Sequence, residues 1–144
     1  MDKDLTEPMA GQAAPPKDTN VARLTVRLGA IAGNYRTFER LAGPAVVAGV
    51  VKADAYGLGM ARAAQALLGA GCDTFFVARL EEGIALRPIA PKARIFVLDG
   101  ARRETIPALI AYRLTPVLNS LAEIAAWSAA AKDYRDWLLM RIAI

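Results

Sequence analysis

Val50-Val51-Lys52-Ala53-Asp54-Ala55-Tyr56-Gly57-Leu58-Gly59 is the stretch from which the architecture of this chain is best understood. It closes an apolar run, residues 45–51, that is typical of a buried strand. Lys52 then stands at the carboxyl end of that strand, and Gly57 and Gly59 predict a loop into the next helix. Because parallel α/β folds bind their ligands at the carboxyl ends of the strands, the sequence places a lysine where a ligand site is expected.

A lysine at this position has two interpretations. A partly desolvated lysine loses its proton more easily than one in water, and its amine can then form a Schiff base with a carbonyl compound. Alternatively, Lys52 only ends the strand and reaches solvent, as most lysines do. Residue type and spacing alone favour this second interpretation. Asp54 is expected to hydrogen-bond within the loop and to have no catalytic role.

After residue 20 the sequence alternates between strand and helix patterns. Apolar residues at helical spacing begin at Leu28, and Gly43-Pro44 ends that helix. Ser120 and Glu123 form the pattern of a capping box at the start of a later helix. Strands are predicted over residues 24–26, 45–51, 74–78, 94–98, 114–118 and 137–144, and helices over 28–41, 60–68, 80–87, from 105 and over 120–131.

Strands that alternate with helices predict a parallel sheet with right-handed crossovers, but two architectures share this pattern. A five-stranded doubly wound sheet would be complete within the 144 residues of the chain. A (β/α)8 TIM-type barrel needs about 250 residues, so about five βα units would be only part of one. Periodicity does not distinguish between them.

Composition argues against several classes of protein. The longest apolar runs are too short to span a bilayer, although 55% of the residues are hydrophobic. Residues 1–20 hold three prolines and mixed charges, which predicts a disordered tail and not a secretion signal. The single cysteine, Cys72, fits a reducing cytoplasm and is expected to be a buried small hydrophobe. The absence of histidine argues against a transition-metal site.

Charge gives no indication of a nucleic-acid partner. The net charge is +4, but the basic residues are scattered and the only adjacent pair is Arg102-Arg103. Nucleic-acid binding usually requires a clustered basic face, often with aromatic residues for stacking. We therefore predict neither a nucleic-acid nor a membrane partner.

The ten quoted residues closely resemble the cofactor-lysine signature of the alanine racemases, a family that depends on pyridoxal 5'-phosphate (PLP). The resemblance begins near Arg23 and runs to the end of the chain. Leu58 is a departure, because many members of the family carry histidine there. Further matches follow in the family's order: Ala70-Gly71-Cys72-Asp73, Val77-Ala78-Arg79-Leu80-Glu81-Glu82-Gly83-Ile84-Ala85-Leu86-Arg87 and Ile95-Phe96-Val97-Leu98.

The resemblance implies a fold and three site residues. Residues 21–144 would form the amino-terminal part of a PLP-binding (β/α)8 barrel, and the family's carboxyl-terminal β domain would be absent. Lys52 would carry PLP and act as acid or base on one face of the substrate. Tyr56 would bind the PLP phosphate, and Leu98 would line the cofactor. Without the resemblance, Tyr56 would be interpreted as a core aromatic residue, and Leu98 could not be distinguished from a core residue.

The resemblance also implies an activity. The family interconverts L-alanine and D-alanine in the cytoplasm, supplies D-alanine for peptidoglycan and acts as a homodimer with shared active sites. The apolar residues 137–144 end without a polar cap, and the family's pyridine-contacting arginine and second catalytic tyrosine are missing. We therefore expect an amino-terminal fragment that binds PLP poorly and does not racemise alanine.

Three alternatives remain open from the sequence. One is another PLP barrel enzyme, either a different amino-acid racemase or a decarboxylase. A second is a protein that carries the cofactor without turnover. The third is a non-catalytic phosphate-binding α/β module that uses Gly57-Leu58-Gly59 at the start of a helix. The dinucleotide fingerprint needs a third glycine where Arg62 stands, which weakens this last alternative.

Overall fold

The structure is a computed structural model that describes residues 24–131. The predicted disordered tail and the predicted strand over residues 137–144 lie outside this range. Within it, helical segments and strands alternate along most of the chain. In order they are α1 (Leu28–Ala42), β1 (Gly49–Val50), α2 (Lys52–Tyr56), α3 (Met60–Gly69), β2 (Thr74–Val77), α4 (Leu80–Leu86), β3 (Arg94–Val97), α5 (Ile106–Ala111), β4 (Thr115–Pro116) and α6 (Leu121–Ala131).

The four strands form one parallel sheet in the order β1-β2-β3-β4, so each strand pairs with the next one in the chain. A doubly wound sheet reverses its strand order at a switch point near its middle, whereas a barrel adds its strands in sequence. The sequential order therefore supports the partial (β/α)8 barrel over the doubly wound alternative.

The two faces of the sheet differ. Right-handed crossovers that always advance in the same direction place the connecting helices on one face. Val97 lies on that face, because a Cβ atom added to Gly83 of α4 would be 3.4 Å from its Cγ2 atom. On the opposite face Phe76 and Phe96 stack with ring centroids 4.8 Å apart, and both remain half-buried. This second face corresponds to the interior of a complete barrel. The core beneath the helices contains the fully buried Phe75, Val77, Ile95 and Val97.

Most predicted elements are confirmed to within a few residues, and two strand predictions are wrong. Residues 24–26 form no strand, and Leu24 is 79% exposed, because no strand of the described range pairs with them. The predicted strand over residues 45–51 is reduced to Gly49–Val50, because among the described residues β1 pairs only with β2, and only over those two positions. Cys72 is buried, as predicted.

Candidate functional site

Lys52 is the first residue beyond the pairing of β1. The backbone N–H of Val51 still donates to the Phe76 carbonyl at 3.0 Å, so the strand pairing continues up to the residue before the lysine. The Lys52 side chain is half-buried. Because all four strands are parallel, their carboxyl ends lie at the same end of the sheet, which we call the carboxyl edge. Lys52 therefore lies at the edge where the sequence predicts a ligand site.

The segment that starts at Lys52 has an unusual backbone. Ala53, Asp54, Ala55 and Tyr56 have φ angles of 51°, 52°, 54° and 56°, which makes α2 a left-handed turn. For residues other than glycine this conformation costs about 1–2 kcal/mol per residue. Such strain persists only where the surrounding structure holds it, and it concentrates at functional sites.

The exit of the left-handed turn is held by hydrogen bonds and two glycines. Gly57 and Gly59 have φ angles of 82° and 94°, which glycine adopts without a steric cost. The N–H of Gly59 donates to the Asp54 carbonyl at 2.9 Å, and the N–H of Met60 donates to Asp54 Oδ1 at 2.7 Å. The Asp54 carboxylate thus occupies an amide at the start of α3. This arrangement disfavours the alternative in which the same helix start binds a phosphate group.

Tyr56 ends the left-handed turn and is 64% exposed, so the interpretation of Tyr56 as a core aromatic residue is wrong. Leu98 is half-buried, and its N–H donates to the Val77 carbonyl at 3.0 Å directly after β3. Lys52 and Leu98 therefore share the carboxyl edge, with β2 between their strands. Two strand spacings separate their backbones by roughly 10 Å.

Glu82, in the first turn of α4, connects two loops of this edge. Its Oε2 atom accepts hydrogen bonds from the N–H groups of Ala78 at 2.7 Å and Arg79 at 3.1 Å. Its Oε1 atom accepts one from the N–H of Ala53 at 2.7 Å. Glu82 is not among the site residues that the sequence predicts. A glutamate at the third position of a helix predicts a cap, but the contact of Glu82 with Ala53 depends on β1 lying beside β2.

A similar set of hydrogen bonds connects the residues that follow β3 and β4. Asn119 follows β4, and its side-chain Nδ2 donates to the Leu98 carbonyl at 2.9 Å. Glu123 of α6 accepts the backbone N–H of Asn119 at 2.7 Å, and Ser120 Oγ accepts the N–H of Glu123 at 3.2 Å. The capping role predicted for Ser120 is confirmed, whereas the carboxylate of Glu123 bonds to Asn119 and not to Ser120. The backbone beside Leu98 is thereby fixed.

The residues at this edge fit the cofactor that the resemblance implies. A primary amine can bond covalently to an aldehyde, a phenol can donate to a phosphate oxygen, and an aliphatic side chain can pack on an aromatic ring. Lys52, Tyr56 and Leu98 supply these three kinds of group, and the exposed Tyr56 leaves its hydroxyl available. In the part of the chain that the structure describes, no helix is long and apolar enough to cross a membrane. Residues 24–131 also hold no group of three potential metal ligands.

Comparison with known proteins gives a consistent result. The family model described as "Alanine racemase, N-terminal domain" matches residues 26–142. The catabolic alanine racemase of Agrobacterium fabrum is 47% identical over 122 residues, which cover 84% of this chain and 31% of that protein. The alanine racemase of Methylobacterium nodulans is 48% identical over 117 residues, or 81% of this chain and 32% of that protein.

Solved structures show the same similarity. The alanine racemase of Bartonella henselae, described as having covalently bound pyridoxal phosphate, aligns with a TM-score of 0.73 and 36% identity. The alignment covers 76% of this chain and 31% of the Bartonella chain. The alanine racemase of Corynebacterium glutamicum aligns with a TM-score of 0.63 and 34% identity, over 69% of this chain and 29% of that one. The chain thus spans about a third of the length of the relatives it matches.

Proposed function

Since the chain belongs to the alanine racemase family, we propose that it supplies the PLP-binding part of an enzyme that interconverts L-alanine and D-alanine. In this proposal Lys52 carries the cofactor, Tyr56 donates its hydroxyl to the phosphate group and Leu98 packs against the ring. The observation that carries the proposal is the position of Lys52, half-buried at the carboxyl edge of the sheet and directly before the left-handed residues. A solvent-exposed lysine on an ordinary loop would not need that turn.

The chemistry assigns each residue a task. When bound, PLP takes up the electron pair that remains on the α-carbon of an amino acid after the α-proton is removed. Lys52 would hold the cofactor through its amine, and the same amine, once the amino group of the substrate has replaced it, would move a proton on one face of the α-carbon. Racemisation also needs an acid or base on the opposite face. We propose that this group belongs to a part of the enzyme outside the described residues.

Covalent trapping tests the attachment. We expect PLP followed by borohydride to modify Lys52 at lower PLP concentration than Lys92, with the modified residue identified by mass spectrometry. Lys92 is the matched control, since it is exposed and precedes β3, so it lies at the amino edge of the sheet. Equal modification of the two lysines would contradict the proposed role of Lys52. It would favour the interpretation in which Lys52 only ends a strand.

Racemisation is tested in a chimaera in which residues 26–142 replace the matching part of the Agrobacterium relative. We expect the chimaera to convert L-alanine into D-alanine, as measured by chiral chromatography. Lys52→Arg should abolish turnover, because a guanidinium group does not bond to the aldehyde, whereas Lys92→Arg should leave it unchanged. A folded chimaera that converts a different amino acid, or decarboxylates one, would support the alternative PLP enzymes instead.

The biological setting is also a proposal. We propose a cytoplasmic homodimer whose D-alanine serves peptidoglycan synthesis, which family membership and the name of one relative, a biosynthetic alanine racemase of Agrobacterium fabrum, support. The names of two other relatives include the word catabolic. Growth of a D-alanine auxotroph that expresses the chimaera would support the biosynthetic role.

A further inference from the structure

Two glutamates occupy equivalent positions in the fold, and the difference between them shows what Glu82 does. Glu82 is the third residue of α4 and Glu123 is the third residue of α6, and each helix follows a strand. Each carboxylate accepts the N–H of a residue that precedes its own helix. This is the ordinary capping role of a glutamate at that position. Glu82 alone of the two also accepts an N–H from across the sheet edge, that of Ala53.

The bond to Ala53 acts on the peptide group attached to Lys52. The N–H of Ala53 belongs to the peptide plane that begins at the Lys52 carbonyl carbon, and this plane is rigid. A short bond to a carboxylate oxygen, 2.7 Å long, therefore fixes the orientation of the plane next to the lysine Cα atom. Because the acceptor is charged, the bond is stronger than a neutral one.

The same bond stands at the start of the left-handed turn. Four consecutive residues from Ala53 onward have positive φ, and this conformation is costly without glycine. Asp54 holds the exit of the turn through Met60, and Glu82 holds its start through Ala53. Glu82 also bonds to the residues that follow β2, so it ties the turn to a strand inside the sheet.

We propose that Glu82 is a positioning residue for Lys52: its carboxylate locks the left-handed turn to the end of β2 and so fixes the direction in which the lysine amine is presented. The brace itself follows from the hydrogen bonds alone. Its consequence for cofactor attachment rests on the proposed function. Glu82 does not touch the cofactor in this proposal, so it acts only through the backbone of Lys52.

The test uses the full chain and the isosteric substitution Glu82→Gln. A carboxamide has one acceptor oxygen, and we expect that oxygen to stay with the two N–H groups of Ala78 and Arg79, so the bond to Ala53 is the one that is lost. We expect hydrogen exchange at the Ala53 amide to accelerate roughly tenfold, as the loss of a bond to a charged group predicts. The Leu98 amide, which donates to β2, is the internal reference for global stability.

Two matched controls separate positioning from charge and capping. Glu81→Gln removes the same charge one residue earlier, where the side chain is exposed. Glu123→Gln weakens the equivalent cap on α6. In both variants we expect the hydrogen-exchange rate of the Ala53 amide to equal that of the unsubstituted chain. We expect the same of the preference of PLP for Lys52 over Lys92. Glu82→Gln should lower that preference several-fold with no change in far-UV circular dichroism.

Each outcome decides between the claims. Unchanged exchange at Ala53 in Glu82→Gln would overturn the brace. Faster exchange together with an unchanged preference for Lys52 would show that the brace exists but does not position the lysine, which also overturns the proposal. If the unsubstituted chain shows no preference for Lys52, the proposed function fails, and the exchange of the Ala53 amide still decides whether Glu82 holds the turn.

Discussion

Helix α4 carries an anchoring side chain at each end, and the two anchors hold different parts of the molecule. Glu82, in its first turn, accepts three backbone N–H groups from the residues that follow β1 and β2. Arg87, directly after its last residue, donates to five backbone carbonyls. Those carbonyls lie before β3 and β4. One helix therefore ties together the carboxyl edge of the sheet at its start and the amino edge at its end.

The chemistry of each anchor suits its end of the helix. Unsatisfied N–H groups favour an anion at a helix start, and unsatisfied carbonyls favour a cation at a helix end. Burial, with a smaller contribution from the nearby charge of Arg113, lowers the pKa of Arg87, yet its guanidinium stays protonated at neutral pH. The Arg87 end holds loops with one residue of positive φ, Arg113 at 52°, whereas the Glu82 end holds four such residues in succession directly after Lys52. We therefore expect substitutions at Arg87 to change the free energy of unfolding, and substitutions at Glu82 to change the preference of PLP for Lys52 over Lys92.

Arg87→Ala should have the largest effect on stability. It removes donors to the carbonyls of Ala90, Ala93 and Tyr112, which are 2.8–3.0 Å from the guanidinium nitrogens. Because two partly buried and three exposed carbonyls lose a charged donor, we expect the free energy of unfolding to fall by about 3 kcal/mol. Urea denaturation followed by circular dichroism measures this change. The preference of PLP for Lys52, measured without urea, should stay unchanged.

Arg94→Ala is the matched control for Arg87. Its guanidinium forms an exposed ion pair with Asp73 at 3.3 Å, and such pairs contribute little. We expect a change of no more than about 0.5 kcal/mol. Equal losses in the free energy of unfolding for the two arginine variants would contradict the division of roles between the ends of α4. A lower PLP modification of Lys52 in Arg87→Ala would also contradict it.

Gly83→Ala should have an intermediate effect, because it pushes the middle of α4 away from the sheet. The added Cβ atom would lie 2.9 Å from Leu114 Cδ1 and 3.2 Å from its Cδ2. Overpacking should outweigh the gain in helix propensity and destabilise the chain by about 1–2 kcal/mol. Gly69→Ala is the control, since no atom lies within 4 Å of its added Cβ. It should be neutral or stabilising by up to about 1 kcal/mol, and a loss there would contradict this account.

The sequence predicts the order of the elements better than their pairing. Hydrophobic periodicity locates the helix that begins at Leu28 and the strands that became β2 and β3, because burial of one helix face or of a strand produces a local pattern. Periodicity carries no information about which strands are neighbours. The sequential strand order, which favours the barrel, therefore appears only in the hydrogen-bonded register.

The candidate site is predicted only in part for the same reason. The apolar run before Lys52 places the lysine at a strand end, but only the family resemblance makes it a candidate site residue. Nothing in Ala53-Asp54-Ala55-Tyr56 demands a left-handed turn, since none of these residues is glycine. The exit of the turn is held by local bonds of Asp54, but its start is held by the bond between Ala53 and Glu82 across 29 positions. A long-range bond of this kind leaves no local pattern. Arg87 is similar, because its carbonyl partners are defined by the fold.

Asp54→Asn should have the smallest effect on the free energy of unfolding. It tests whether a carboxylate charge holds the exit of the left-handed turn, as Glu82 holds its start. Asp54 has φ 52° and ψ 45°, a conformation that asparagine tolerates well, and an amide oxygen can replace Oδ1 as acceptor for the Met60 N–H. We expect a change within about 0.5 kcal/mol, whereas Asp54→Ala, which removes the acceptor, should cost about 1 kcal/mol. Urea denaturation at low and high salt measures both variants. If asparagine were as harmful as alanine and salt reduced the difference from the unsubstituted chain, the charge of Asp54 at the start of α3 would be what holds the exit. The exit and the start of the turn would then both depend on a carboxylate charge, and Glu82 would differ from Asp54 only in reaching across the sheet edge.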